Sequence, residues 1–468
     1  MKSRRFWGDV MKFYQITDMH FYPAREMKAC GREWEQRAAY DQKCLAQSEA
    51  IVDAAIDFFL EDKETDIILI SGDNVSDGER VGHYALQKKL RRLTAAGKRV
   101  FLLTATHDLH PQPKGYSEER GEYVAEGCTR SELIEIYGEF GYNDAVAVHP
   151  DTFSYVAMLD DHTRLLVLND DGIGFEDGFH GYFDDELNWI KQQLEEGKSR
   201  GDTMLVMGHH PLLAPGPFYS YYCKDTQMLG DCDKIAEMFA DYGVKFMFTG
   251  HTHMQSINYF DTPKGNRIYD INTGSLTAYP SPIRKMELTD NSLVVRTLHI
   301  SHIDYDLNGM PYMTFSREHF DFMLKDILYS AAHDIDRFCV VCECFSFPSE
   351  KARKLAVPIH ILGKILDSLT FKKAGTLLCC KSKIAPRMYN VRLADFLIEL
   401  VRNMYAGDEP YAPGTAEYDS FMALYRRMAP LLHKLTGSDE IDSAIEGSLY
   451  NDGIPDNDAV IPISEYKE

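Results

Sequence analysis

From residue 12 to about residue 300, short apolar runs rich in β-branched and aromatic side chains alternate with stretches whose apolar residues recur at helical spacing. That alternation predicts a layered α/β domain. The runs 13–16, 67–70, 100–103, 165–168, 204–207 and 244–248 predict strands. Between the first two, Ile51, Ala55, Phe58 and Phe59 share one face of a helix predicted over 46–60, and Leu187, Ile190 and Leu194 do the same over 185–194. Residues 284–300 alternate on either side of Asp290-Asn291, which predicts a closing hairpin, and Asp161-His162 reads as another hairpin turn.

Beyond about Asn308 the period changes. Phe320, Met323, Ile327, Leu328 and Ile335, then Phe421, Leu424, Tyr425, Met428, Leu431, Leu432 and Leu435, follow helical spacing, with Pro430 predicting a kink or a break. The expected division is therefore an α/β domain over 1–308 with its core from about 11, a helical domain over 309–438, and an acidic tail over 439–468. Residues 438–468 hold nine acidic residues and one basic one, interspersed with Gly, Asn and Pro, and read as mobile or loosely docked. Residues 1–10 are either a poorly ordered arm or a start-site artefact, and no internal repeat is visible.

Composition narrows the field. The 468 residues suffice for two or three domains at roughly 150 residues each. Hydrophobic residues make up 44% and charged residues 26%, an ordinary globular balance. A formal charge of −22 repels phosphate backbones, and no Lys/Arg block stands beside aromatics, so nucleic acid is not an expected partner. The acidic total leaves small phosphorylated substrates open, because bound cations reverse the local potential of a carboxylate-rich pocket. No apolar stretch reaches the ~18 residues of a membrane span, and the N-terminus lacks an export pattern. Ten cysteines are too sparse for a disulfide scaffold, and a cytoplasmic location is expected.

Several predicted strands run straight into polar loops bearing metal-binding residue types: Asp18-Met19-His20, Gly72-Asp73-Asn74, Thr106-His107-Asp108, Gly208-His209-His210-Pro211 and Gly250-His251-Thr252-His253. Open α/β sheets place their sites at such strand ends. Any one block is weak; five in order, each after an apolar run, are a strong signal. The series resembles the calcineurin-like metallophosphoesterase superfamily, with its DxH, GDxx, GNH[DE], HH and GHxH blocks, over about residues 12–300. With the helical extension, the layout is similar to bacterial class III cyclic-nucleotide phosphodiesterases.

The resemblance implies a layered α/β/β/α sandwich and two divalent ions, Mn, Fe or Zn. One would be held by Asp18, His20, Asp73 and His253, the other by Asp73, His209 and His251, with Asp73 bridging. Such a bridge sets two ions about 3.5–4 Å apart, and a hydroxide between them would be the nucleophile. His107 would protonate the leaving oxygen or stabilise the transition-state charge, with Asp108 orienting its ring. The Asn of GNH[DE] is Thr106 here, a hydroxyl where the family has an amide oxygen, which implies a weaker second site.

The remaining candidates have two readings each. Asn74, His110 and His210 could touch substrate or be satisfied loop residues, with His210 and Pro211 read as positioning residues rather than ligands. Arg25, Lys28 and Arg32 could neutralise a phosphate or form a solvated face. Cys339, Cys342, Cys344, Cys379 and Cys380 read as core packing rather than a metal cluster. The function expected is a metal-dependent phosphohydrolase, with phosphodiesters of small or cyclic nucleotides as the leading class. The alternative is a degenerate metal-binding scaffold or regulatory protein with little turnover, which Thr106 alone favours.

Overall fold

The computed structural model describes residues 10–171, 180–217, 219–220, 227–344, 353–354, 356–436 and 439–463. Two compact units emerge: one from the residues up to Pro215, Gln227–Ser316 and those from Ile454 onward, the other chiefly from Arg317–Gly453.

The first unit is a sandwich of two sheets. In the six-stranded sheet, Met11–Ile16, Ile67–Ser71 and Arg99–Leu103 run parallel, and Pro282–Leu288, Ser292–His299 and Ala459–Pro462 continue it antiparallel from the other side of the first strand. In the seven-stranded sheet, Thr163–Val167, Thr203–Met207, Phe246–Thr249 and Arg267–Asn272 run parallel, and antiparallel strands flank them. A separate small hairpin joins Lys114–Ser117 to Gly121–Val124.

Side-chain alternation explains the layering. Leu165, Val167, Leu205, Met207, Phe246 and Phe248 point into the core between the sheets. Leu166, Leu168, Met204, Val206 and Met247 point to the opposite face, onto the helices Asp184–Arg200 and Cys232–Tyr242. Phe13 closes the core against Phe248, ring centroids 5.4 Å apart. On the outer face of the six-stranded sheet the helix Ser48–Glu61 buries Ile51, Ala55 and Phe59. The predicted strands and the first predicted helix form within a few residues of their expected bounds, the second helix runs on past its expected end to Arg200, and the hairpin turns at Asp290-Asn291 and Asp161-His162 are present.

The second unit is helical, with a core of Phe371, Phe396, Leu400, Tyr418, Met422 and Tyr425. Its helix Ala416–Thr436 continues through Pro430 rather than breaking there. Among the described residues no helix is long and apolar enough to cross a membrane.

The reading of the 439–468 segment as a mobile or loosely docked tail is corrected for its described residues, 439–463. Ile441–Gly447 is helical, and Ala459–Pro462 pairs with Ser292–Val295 as the edge of the six-stranded sheet. Its alternation is the reason: Ala459 and Ile461 turn into the core, while Val460 is exposed. Net charge concealed a short half-buried strand. Residues 1–9, 437–438 and 464–468 lie outside the described residues, as do the side chains of Cys342 and Cys344. Cys339 and Cys380 are buried, Cys379 is exposed, and no cysteine joins a metal-ligand group among the described residues.

Candidate metal centre

The five polar blocks meet at one end of the sandwich because neighbouring strands stay tied to each other past their last ladder bond. Asp18 N donates to Gly72 O and His20 N to Asp73 O, both at 3.0 Å, which stitches the loop after the first strand to the loop after the second. In the other sheet Gly250 N donates to His209 O at 2.9 Å. Asp18, His20, Asp73, His251 and His253 all take positive φ, between 38° and 69°. Non-glycine residues there are strained, and such strain gathers at functional sites. Gly72 has φ 101°, and a Cβ on it would stand 2.6 Å from His209 Nδ1 and from Ala105 Cβ, so the close approach of three blocks requires glycine.

Two sets of donors result: Asp18, His20 and His253, and Asp73, His209 and His251. Asp73 stands near both, its Oδ2 3.2 Å from His209 Nε2 and 3.9 Å from His20 Nε2. In the first set His20 Nε2 and His253 Nε2 are 3.0 Å apart, and Asp18 Oδ1 lies 3.3 Å from His253 Nε2. Asp18 Oδ1 and His209 Nε2 are buried without hydrogen-bond partners. Burying polar atoms unpaired is costly, and a carboxylate oxygen and imidazole nitrogens converging this way fit divalent Mn, Fe or Zn.

The rings are braced from behind. His209 Nδ1 bonds Ser71 O and His253 Nδ1 bonds Gln42 Oε1, both at 2.8 Å, while His251 Nε2 bonds Gln227 Oε1 at 3.0 Å. Such outer partners fix tautomer and ring orientation. Burial drives the His20 pKa down to about 3 and holds those of His210 and His251 well below the ordinary value. These rings are neutral, the form that donates a lone pair. Burial opposes charge on Asp18, but His20 and His253 outweigh it and hold the carboxyl well below its usual range; His209 and His107 do the same for Asp73. His209 is the exception among the rings: burial disfavours its charge, yet Asp73, Asp18 and Asp170 hold its pKa well above the ordinary value, so a proton and a cation compete for one nitrogen.

His107 sits beside both sets, its ring 4.7 Å from that of His20 and its backbone N–H donating to Asp73 Oδ1 at 2.8 Å. The expectation that Asp108 orients this ring is corrected. Asp108 is fully buried and accepts from the backbone of Asn74, Val75 and Ala105 and from the Asn74 amide. It welds two loops together instead. The His107 ring is held by Ser76 O, 2.5 Å from Nδ1, and by Asp77 Oδ1 at 3.4 Å. Burial disfavours charge on His107, but Asp73 and Asp77 outweigh it and raise its pKa.

Of the two readings of Asn74 the structure matches the satisfied loop residue: it is fully buried, with its amide donating to Leu103 O and Asp108. Thr106 Oγ1 reaches Asp73 Oδ1 only at 3.4 Å. His210 is fully buried, with Nδ1 2.8 Å from Asp170 Oδ1. His110 stacks near His107 at 6.2 Å, and Arg25, Lys28 and Arg32 are exposed. Sequence reasoning missed Gln42, Asp77 and Gln227 and gave Asp170 no role. Asp77 lies four residues after Asp73 in the same loop and Asp170 ends a recognised apolar run, so both carried a signal; Gln42 and Gln227 carried none.

No curated protein matches the chain. Among solved structures it is similar to a dimetal phosphatase from Danio rerio, at 12% identity over 62% of this chain and 96% of that one, TM-score 0.44. It is also similar to purple acid phosphatase PPD1 from yellow lupin, at 12% identity over 62% and 52%, TM-score 0.38. A third is the NAD nucleotidase of Haemophilus influenzae, at 10% identity over 78% and 62%, TM-score 0.33. The model of the calcineurin-like phosphoesterase family matches residues 11–255, more than half of the sequence and all five polar blocks, and the chain belongs to that family.

Proposed function

We propose that the chain is a metal-dependent phosphohydrolase that acts by preference on phosphodiesters, with small or cyclic nucleotides as the leading substrate class. The observation that carries the reading is the shared carboxylate: Asp73 stands between two donor sets whose Asp18 Oδ1 and His209 Nε2 are buried and unpaired.

Asp18, His20, Asp73 and His253 would hold one ion, and Asp73, His209 and His251 the other. Two divalent ions so held supply Lewis acidity at the phosphoryl oxygens and activate water for attack. The protein itself supplies the proton. His107, its charged form favoured by Asp73 and Asp77, is placed to protonate the departing oxygen. Ser76 O and Asp77 hold the ring so that little reorientation is needed in the transition state. The preference for diesters rests on the layout of the chain, a phosphoesterase domain followed by a helical unit.

The test is metal analysis of the purified protein together with hydrolysis of bis(p-nitrophenyl) phosphate, p-nitrophenyl phosphate and a panel of cyclic nucleotides, with Asp73→Asn as control. Faster diester turnover that Asp73→Asn abolishes supports the reading, and faster monoester turnover overturns the diester preference. Metal uptake with no turnover on any ester favours the scaffold reading, which Thr106 alone supports.

A further inference from the structure

Outside the two donor sets, Asp171, His180 and His210 bring a carboxylate oxygen and two imidazole nitrogens within 4.8 Å of one another. Asp171 and His210 are buried and His180 is half-buried. One atom of each, Asp171 Oδ1, His180 Nδ1 and His210 Nε2, is shielded from solvent without a hydrogen-bond partner.

The tautomer of His210 follows from its surroundings. Its Nδ1 lies 2.8 Å from Asp170 Oδ1, and a carboxylate oxygen only accepts, so Nδ1 carries the proton. Asp170 is locked in turn, its Oδ2 accepting from His209 N and His210 N. Nε2 of His210 is therefore a bare lone pair in a dry environment, backed by a carboxylate as metal-ligating histidines are. The His180 ring stacks on His210 with centroids 4.0 Å apart, and His210 lies 4.1 Å from His251.

We propose that Asp171, His180 and His210 form a third site, for a divalent transition ion of the zinc class, beside the second donor set. Two imidazoles and one carboxylate suit Zn²⁺, Fe²⁺ or Mn²⁺ and disfavour the all-oxygen cations Mg²⁺ and Ca²⁺. Asp170 and Asp171 are consecutive buried acids; burial, and after it Asp170, holds the Asp171 pKa well above its usual range, with His209 and Arg130 opposing the rise. A cation bound there would displace a proton. The competing occupant is a proton on Asp171, donated to His210 Nε2.

None of the three residues belongs to the two sets of the proposed catalytic centre, so the inference can fail while that reading stands, and the reverse. The experiment strips metal from the full-length protein and titrates Zn²⁺ against a chromophoric chelator, counting equivalents for wild type, Asp171→Asn, His180→Ala and Asp73→Asn. Asp171→Asn is isosteric and neutral like the protonated acid that burial favours there, and His180 is half-buried, so apo folds matching wild type by circular dichroism are expected. The proposal holds if Asp171→Asn and His180→Ala each bind one equivalent fewer than wild type. Adding His180→Ala to Asp73→Asn should then remove one further equivalent. It is overturned if both single variants bind as many Zn²⁺ ions as wild type, the result a proton on Asp171 would give.

Discussion

The Asp77 carboxylate stands 3.4 Å from Nδ1 of His107, while Asp108, the next residue in the chain, turns its carboxylate away onto backbone N–H groups. The two acids thus have different work, and their variants should separate. Asp77→Asn should cost part of the ~10²–10⁴ that a general acid supplies, with a larger loss for alkyl than for p-nitrophenyl leaving groups. Asp108→Asn should instead lower the melting temperature, since an amide cannot accept from every donor there, at about 1–3 kcal/mol. Rates on paired good and poor leaving groups, with thermal melts, check both; equal losses from Asp77→Asn on the two ester types would remove it from the proton pathway.

Asp73→Asn should strip both ions together. The carboxylate faces His209 and His20 at once, so its loss weakens two sites rather than one. Removing an outer partner of a metal ligand costs ~10–100-fold in affinity, and removing a shared ligand should exceed that at each site. Metal content by mass spectrometry, compared between His180→Ala and the double variant Asp73→Asn/His180→Ala so that the proposed third site does not contribute, is the readout, and retention of one full equivalent by the double variant would show that Asp73 does not bridge.

Thr106→Asn should tighten the second ion by about tenfold, the lower end of what a single metal-site partner contributes. The Thr106 hydroxyl makes only a 3.4 Å approach to Asp73 and offers a poorer donor than an amide oxygen. Titration with Mn²⁺ followed by electron paramagnetic resonance measures the second binding step, and identical affinities in the two proteins would refute the argument.

What was legible in the sequence was whatever short-range pattern determines. Runs such as 67–70 and 204–207 are strands on both sides of a core, and the blocks following them converge because parallel neighbours end at the same level. The partners that hold the ligands were not legible. Gln42 reaches His253 across 211 positions and Gln227 reaches His251 across 24, contacts that only the closed fold creates. Asp108 was misassigned because proximity in sequence suggested contact with His107, whereas its side chain follows the opposite side of the turn.

Glu186 supplies a pH dependence of stability. It is 1% exposed, with Oε1 accepting from Thr152 and Ser154 and Oε2 unpaired. Burial lifts its pKa to about 7 from an ordinary 4.5. The folded state thus binds this proton more tightly than the unfolded chain does. The contribution is fully present below pH 4.5 and is lost as pH rises through about 7, a difference of about 3 kcal/mol. Glu186→Gln keeps the carbonyl acceptor and removes the titration. Relative to wild type, it should gain stability between pH 5 and pH 8 in urea unfolding, and parallel curves for the two proteins would show that Glu186 does not titrate there.

A chain shortened to end at residue 453 should be severely destabilised, though the segment removed is acidic and short. Ala459–Pro462 covers the edge of the strand Ser292–His299 and inserts Ala459 and Ile461 into the main core. The residues before it matter as much. Arg284 is fully buried and donates from Nη1 to Asp456 O at 2.5 Å and to Asn457 O at 3.1 Å, while Asp456 Oδ1 accepts from Ile257 N at 2.7 Å. Burial lowers the Arg284 pKa to about 10, with Asp456 and Asp458 acting against that fall. Truncation would leave this charge buried beside vanished acceptors, a loss of ~3–5 kcal/mol when one partner of a buried charge is removed. It would also bare a strand edge that invites aggregation. Arg284→Met should recover part of the stability of the shortened chain by eliminating the stranded charge. Thermal melts and size-exclusion chromatography of both shortened proteins provide the measurement, and a shortened chain that melts with wild type as a monomer would return these residues to the status of a loose tail.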